Sequence, residues 1–221
     1  MFKKLYQLLM QFILAKPDGP EALDMRMETL MEDAQSGRAD AQYQIGRNYL
    51  YGLYFNQDIP AALRWLELAA KQYHVQAESL LAQYYYPRLS QYPQHQEQVI
   101  EWAEHAALRH DTEACAIWGE ILLTGLGEQT ASISCLRFLQ EAAAQQHARA
   151  QYLIGTLYLY GKWMDKDTQQ AKHWIELSAK QGYTPAQTLL GEMYQEGFGV
   201  EKNYTEAEYW FAQAKQQRGD E

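Results

Sequence analysis

An aromatic residue returns at nearly constant intervals down this chain: Trp65, Trp102, Phe138, Trp174 and Trp210 stand 37, 36, 36 and 36 residues apart. A small residue follows each by four positions (Ala69, Ala106, Ala142, Ser178, Ala214), and another precedes each by three (Ala62, Val99, Cys135, Ala171, Ala207). A second set keeps the same beat: Ala41, Ala77, Ala114, Ala150 and Ala186. Five residues after each of these come Gly46, Ala82, Gly119, Gly155 and Gly191; eight after, Tyr49, Tyr85, Leu122, Tyr158 and Tyr194; eleven after, Gly52, Arg88, Gly125, Gly161 and Gly197. Self-similarity at such a period signals stacked supersecondary units, because one unit cannot bury its apolar face alone.

Each unit reads as two helices. The first, as in 150–161, carries apolar residues at i, i+3, i+4 and i+8 and stops at a glycine able to adopt the left-handed conformation. Asp58, Asp167 and Asn203 share one column and predict N-caps for the second helix. The second helix carries the aromatic with small residues beside it. A mid-helix glycine costs helix propensity, so Gly46, Gly119, Gly155 and Gly191 predict close helix approach. The fold class that follows is all-α: an α-solenoid of five helix-turn-helix repeats, 37–72, 73–109, 110–145, 146–181 and 182–217. Residues 1–36 supply one more period, with Leu5, Leu9, Ile13 and Ala34 on the repeat columns. They read as a degenerate N-terminal capping helix pair.

The stretch Lys180-Gln-Gly-Tyr-Thr-Pro-Ala-Gln-Thr-Leu-Leu-Gly-Glu-Met-Tyr-Gln-Glu-Gly-Phe-Gly-Val200, continuing to Ala207 and Trp210, resembles a Sel-one-like repeat, a relative of the tetratricopeptide repeats. The resemblance spans about residues 37–217. It implies an αα superhelix whose concave face binds proteins, as adaptors do, and in bacteria it extends to secretion, host contact or neutralisation of toxic effectors. One cysteine-rich bacterial branch of the family is linked to penicillin binding, but its regularly spaced cysteines are missing here. Two columns depart from the family pattern. The glycine joining units, Gly37 and Gly182, becomes Tyr73, His110 and Gln146. Copy two has Arg88 for a helix-ending glycine and an irregular segment, 84–93, whose two prolines predict a distorted loop.

The formal charge of −9 opposes any sequence-independent grip on nucleic acid. Residues 1–16 begin like a signal peptide, yet Gln7 and Gln11 interrupt the apolar run. Leu5, Leu8, Leu9, Phe12 and Ile13 fall at helical spacing, which favours a packed helix over a leader. The two cysteines are read as free thiols: Cys135 as a small core residue, Cys115 as half exposed beside Gln42, Glu78, Gln151 and Gln187 of its column. Free thiols suggest a cytoplasmic protein; periplasmic or membrane-associated placement through residues 1–16 is the alternative. A monomer with no membrane span is expected.

Catalytic constellations are missing from the sequence. Glu101 and His105 lie one helical turn apart, but a solvated helix face explains them and no second cluster completes a coordination sphere. Gly125-Leu-Gly127 and Gly197-Phe-Gly199 follow helices at the repeat period and read as loop glycines. The expectation is a non-enzyme without cofactor or metal. What remains is a stripe down the first helices: Tyr43, Arg47, Tyr51, Gln83, Glu120, Tyr152, Thr156, Tyr160 and Glu192. Tyrosine offers rigid apolar area with a hydrogen-bonding tip, so the stripe suits a groove for a protein or peptide partner. Tyr43, Tyr152 and Tyr160 fit packing between adjacent units equally well. Glu120, Glu192 and Glu196 favour a basic partner toward the C-terminal half. The function expected is a protein-interaction scaffold or adaptor. A bacterial immunity or secretion-accessory protein is the alternative, and a β-lactam-binding or hydrolysing enzyme is more distant.

Overall fold

A computed structural model describes residues 20–124, 131–162 and 164–219, with side chains from residues 25, 136 and 164 onward in these stretches and as far as residue 216. The fold is all-α, a helical repeat. Eleven α-helices occupy the described residues: α1 Pro20–Gln35, α2 Ala39–Tyr51, α3 Ile59–Ala70, α4 Val75–Tyr85, α5 Gln96–Leu108, α6 Thr112–Thr124, α7 Ala131–Ala144, α8 Ala148–Tyr160, α9 Thr168–Lys180, α10 Thr184–Glu196 and α11 Tyr204–Gly219. The chain forms two compact units, Met1–Ala77 and Glu78–Glu221, with the boundary inside α4. Within each, helices pack on their neighbours in sequence.

In the first unit, Ala34, Ala41 and Ile45 form a buried cluster under Trp65, Leu30 and Met31. Ala34 thus takes the core role its column predicts; Leu5, Leu9 and Ile13 lie outside the described residues. In the second unit, Ala171, Ile175, Ala179, Ala186, Leu190, Met193 and Trp210 share one cluster with Leu159. The aromatic column is core in every copy, from half-buried Trp65, Trp102 and Trp174 to buried Phe138 and Trp210.

The mid-helix glycines mark close crossings. A Cβ at Gly155 would lie 2.6 Å from Ile175 Cγ1 and 3.1 Å from the Ile175 backbone nitrogen. At Gly46 the nearest atom is Leu66 Cγ, and at Gly191 it is Phe211 Cε1. Copy two has Ala82 in this column, facing the column of Leu66 and Ile175, which there holds Ala103; both alanines are buried. The extra methyl on one helix is matched by a smaller residue on the other.

Helix ends follow the sequence signals. Gly52, Gly161 and Gly197 take left-handed C-caps with φ of 63°, 65° and 78°. Asp58 and Asp167 accept from the first backbone amides of α3 and α9, and Asn203 from that of Glu206. In copy two α4 passes into 3-10 turns at Tyr86–Arg88 and Pro93–His95. There Arg88 Nη1 donates to the Tyr84 carbonyl at 2.7 Å, serving the helix end that glycine serves elsewhere. Tyr85 anchors the irregular loop by stacking on His95 at 4.2 Å.

The joints between units need left-handed backbone whatever residue stands there. Gly37 and Gly182 have φ of 99° and 87°, and Tyr73, His110 and Gln146 are held at 59°, 63° and 62°. A non-glycine residue in this region carries strain of about 1 kcal/mol. Gln146→Gly, at an exposed joint, is therefore expected to raise stability by about 0.5–1 kcal/mol, read from denaturant unfolding.

One column departs from expectation. Cys115 is fully buried, not half exposed, and so are Gln42, Glu78, Gln151 and Gln187. The cause is a repeated hydrogen bond to the end of the preceding helix. Gln42, Gln151 and Gln187 donate Nε2 to the carbonyl eight residues upstream (Ala34, Ala143, Ala179) at 3.2–3.3 Å. Cys115 Sγ contacts the Ala107 carbonyl at 3.6 Å. Gln42 and Gln151 also accept, at Oε1, from Gln72 and Gln181. Burial, then the carboxylates of Glu141 and Asp111, push the Cys115 thiol up to about 12, so it resists ionisation. The side chain of Cys135 lies outside the described residues.

Glu78 is the acid in this glutamine column. It is 1% exposed; Oε1 lies 3.3 Å from His105 Nδ1 and Oε2 is 3.9 Å from Arg109 Nη1. Burial raises its pKa against the opposing pull of His105 and Arg109. A raised carboxyl binds its proton more tightly folded than unfolded. Its contribution is therefore most favourable below the unfolded value of 4.5 and declines as pH rises through the folded pKa. Glu78→Gln is expected to be more stable than the wild type at pH 7, with the gain lost as pH falls through the folded pKa toward 4.5. Urea unfolding at pH 4 and 7 checks this.

Candidate protein-recognition face

The stripe divides between the two units. In the first, Tyr43 is half-buried and stacked on His74 at 4.8 Å, with Arg47 over its ring at 5.8 Å. Tyr51, one turn on, is 52% exposed. In the second, Tyr152 is half-buried with its ring edge against Tyr183, centroids 5.5 Å apart. Tyr160 is 71% exposed. Thr156 donates to the Leu153 carbonyl, while Gln83 and Glu192 are exposed. Packing between successive repeats thus occupies Tyr43 and Tyr152, while Tyr51 and Tyr160 are exposed.

The centre of the face in the second unit is a residue outside the predicted stripe. Arg149, at the start of α8, pairs with Glu120 on α6 and lies over the Tyr86 ring at 5.4 Å. Tyr86 hydrogen-bonds Glu120 and Thr124, and burial followed by the Glu120 charge raises its pKa to about 12. One guanidinium thereby ties copies two, three and four. Glu120 is consequently paired within the chain, where the sequence expectation had it face a partner; Glu192 and Glu196 are exposed.

Beside it, His147 caps α8. Its Nδ1 accepts from the Ala150 amide at 3.3 Å, and Nε2 faces Glu113 Oε2 at 2.8 Å. Neutral imidazole protonated on Nε2 satisfies both contacts. Burial alone would raise the Glu113 pKa, but the hydrogen bond from His147, with the Arg149 charge and Gln83, lowers it overall. His74 repeats the device with Ala77 and Asp40 in the first unit. His74 and His147 are therefore caps, whereas His110 pairs with Glu141 and leaves the cap to Asp111. His105, expected on a solvated helix face one turn from Glu101, places Nδ1 3.3 Å from Glu78 Oε1. Among the described residues, no three His, Cys, Asp or Glu side chains converge as a metal site.

The repeat architecture with a polar, tyrosine-bearing first-helix face defines a helical-repeat interaction scaffold. The family model for the Sel1 repeat matches residues 39–74, 112–147, 148–183 and 184–218, more than half of the chain. The chain belongs to the Sel1 repeat family. The copy left unmatched is the one with Arg88 and the irregular loop.

Three relatives frame it. An uncharacterised protein of Neisseria meningitidis serogroup B is 26% identical over 143 residues, covering 65% of this chain and 29% of the relative. The crystal structure of a protective antigen of uropathogenic Escherichia coli, with the same repeat fold, is 32% identical with a TM-score of 0.72, covering 85% of this chain and 40% of the antigen. The chain thus spans less than half the length of either. An immunity protein of Pseudomonas aeruginosa shares the fold at 16% identity, with a TM-score of 0.55 over 95% of this chain and 79% of that protein. Among the described residues, no helix is long and apolar enough to cross a membrane.

Proposed function

We propose that the chain is a non-catalytic adaptor that holds a protein partner on the first-helix face of α6, α8 and α10. The observation that carries this reading is Tyr160. A tyrosine 71% exposed stands beside a Tyr152–Tyr183 pair and an Arg149–Glu120–Tyr86 cluster already fixed by their own contacts. A pre-ordered surface spends little entropy on binding. We place the protein in the cytoplasm as a monomer, in keeping with the inert, buried Cys115 thiol. The test is affinity capture with quantitative mass spectrometry. Tyr160→Ala should lose at least ten-fold of the specifically captured protein while helicity and thermal midpoint stay unchanged. Full retention would move the interface off this face.

A second reading, an immunity or secretion-accessory protein that blocks a cognate effector, draws on the fold shared with the Pseudomonas immunity protein. An adjacent toxin gene whose toxicity is relieved by co-expression of this chain would favour it. Hydrolysis of a chromogenic β-lactam by the purified protein would overturn the non-catalytic reading.

A further inference from the structure

The cluster around Arg149 has a partial parallel two copies along the face, a tyrosine and a glutamate without the cation. In the filled case a tyrosine from the end of one first helix, Tyr86, and a glutamate from the next, Glu120, receive the guanidinium of Arg149. Tyr160 ends α8 one position beyond the column of Tyr86, which on α8 holds Leu159, and Glu192 stands on α10 in the column of Glu120. Tyr160 and Glu192 are the exposed chain neighbours of Leu159 and Met193, which are buried in one cluster. Both act electrostatically on the Tyr152 hydroxyl. Among the described residues no cation pairs with Glu192, which is exposed, as is Tyr160.

The wider charge distribution agrees. The first helices α6, α8 and α10 carry four carboxylates, Glu113, Glu120, Glu192 and Glu196, against the single cation Arg149. The second helices α7, α9 and α11 carry five cations against four carboxylates. A tyrosine face beside a carboxylate suits a guanidinium or ammonium, by cation–π contact and ion pairing together.

We infer that the Tyr160–Glu192 notch receives an arginine or lysine side chain of the protein partner, in the way the Tyr86–Glu120 notch receives Arg149. This rests on the first-helix face being the recognition face.

Selection of random 12-residue peptides displayed on phage, with the intact protein as bait, tests it. Peptides enriched for Arg or Lys are expected. Replacing the basic residue by citrulline or norleucine should weaken binding at least ten-fold, as should Glu192→Gln, whereas Glu176→Gln on α9 should leave it unchanged. Peptides that compete with one another, lose affinity with Tyr160→Ala, yet lack a basic residue or ignore Glu192→Gln would overturn the notch and leave the face standing. Peptides indifferent to both substitutions, or no selectable peptide, would overturn both.

Discussion

Gly155→Val is expected to cost about 3 kcal/mol and to lower the thermal midpoint by several degrees. The crossing of α8 over α9 leaves no room for it: a single added Cβ already meets Ile175 Cγ1 at 2.6 Å, the Ile175 nitrogen at 3.1 Å and the Ala171 carbonyl at 3.2 Å. Two of those contacts are backbone and cannot rotate away. In copy two the repeat register sets Ala82 against a column reduced to Ala103, and both are buried. Gly155→Ala should therefore destabilise by about 1–2 kcal/mol in the wild-type background and by less when Ile175→Ala is already present. A favourable coupling of about 1 kcal/mol in the double-mutant cycle is the result expected. Strict additivity would show that glycine at 155 does not answer to the bulk at 175.

Gln151→Ala is expected to cost about 2–3 kcal/mol, a large loss for one polar residue. Its amide donates to the Ala143 carbonyl at the end of α7, and its oxygen accepts from Gln181 at 2.7 Å. Truncation strips a donor from a buried helix-end carbonyl, removes the Gln181 contact and leaves a void. Gln181→Ala should cost much less, because that side chain sits at an exposed position where water replaces it. Chemical denaturation of the two variants separates the cases; equal losses would contradict the buried-ladder assignment.

The period and the pairing of helices were legible in the sequence because they repeat five times, and the glycine crossings because glycine returns in four of the five copies; a repeated column records a packing constraint. The glutamine column repeated just as clearly yet misled, since Gln and Glu suggest solvent. Its burial is set by a carbonyl eight residues back, which no composition rule exposes. Gln at three of its five positions, in a protein with 26 Gln, was the available signal. Arg149 was missed for the opposite reason. It is a singular residue in a column that otherwise holds Asp40, Gln76, Glu113 and Pro185, so periodicity could not mark it. Its pairing with Glu120 also changes the charge the face offers. The double contact of His74 and His147, cap on one nitrogen and carboxylate on the other, depends on how consecutive first helices stack.

The most direct measurement is site-specific photocrosslinking in cells, with a benzophenone amino acid in place of Tyr160 on α8 and, separately, of Leu108 on α5, which is 55% exposed on a second helix. A discrete adduct with one protein at position 160 and none at 108 is the predicted result. An adduct at 108 with none at 160 would contradict recognition through the first-helix face.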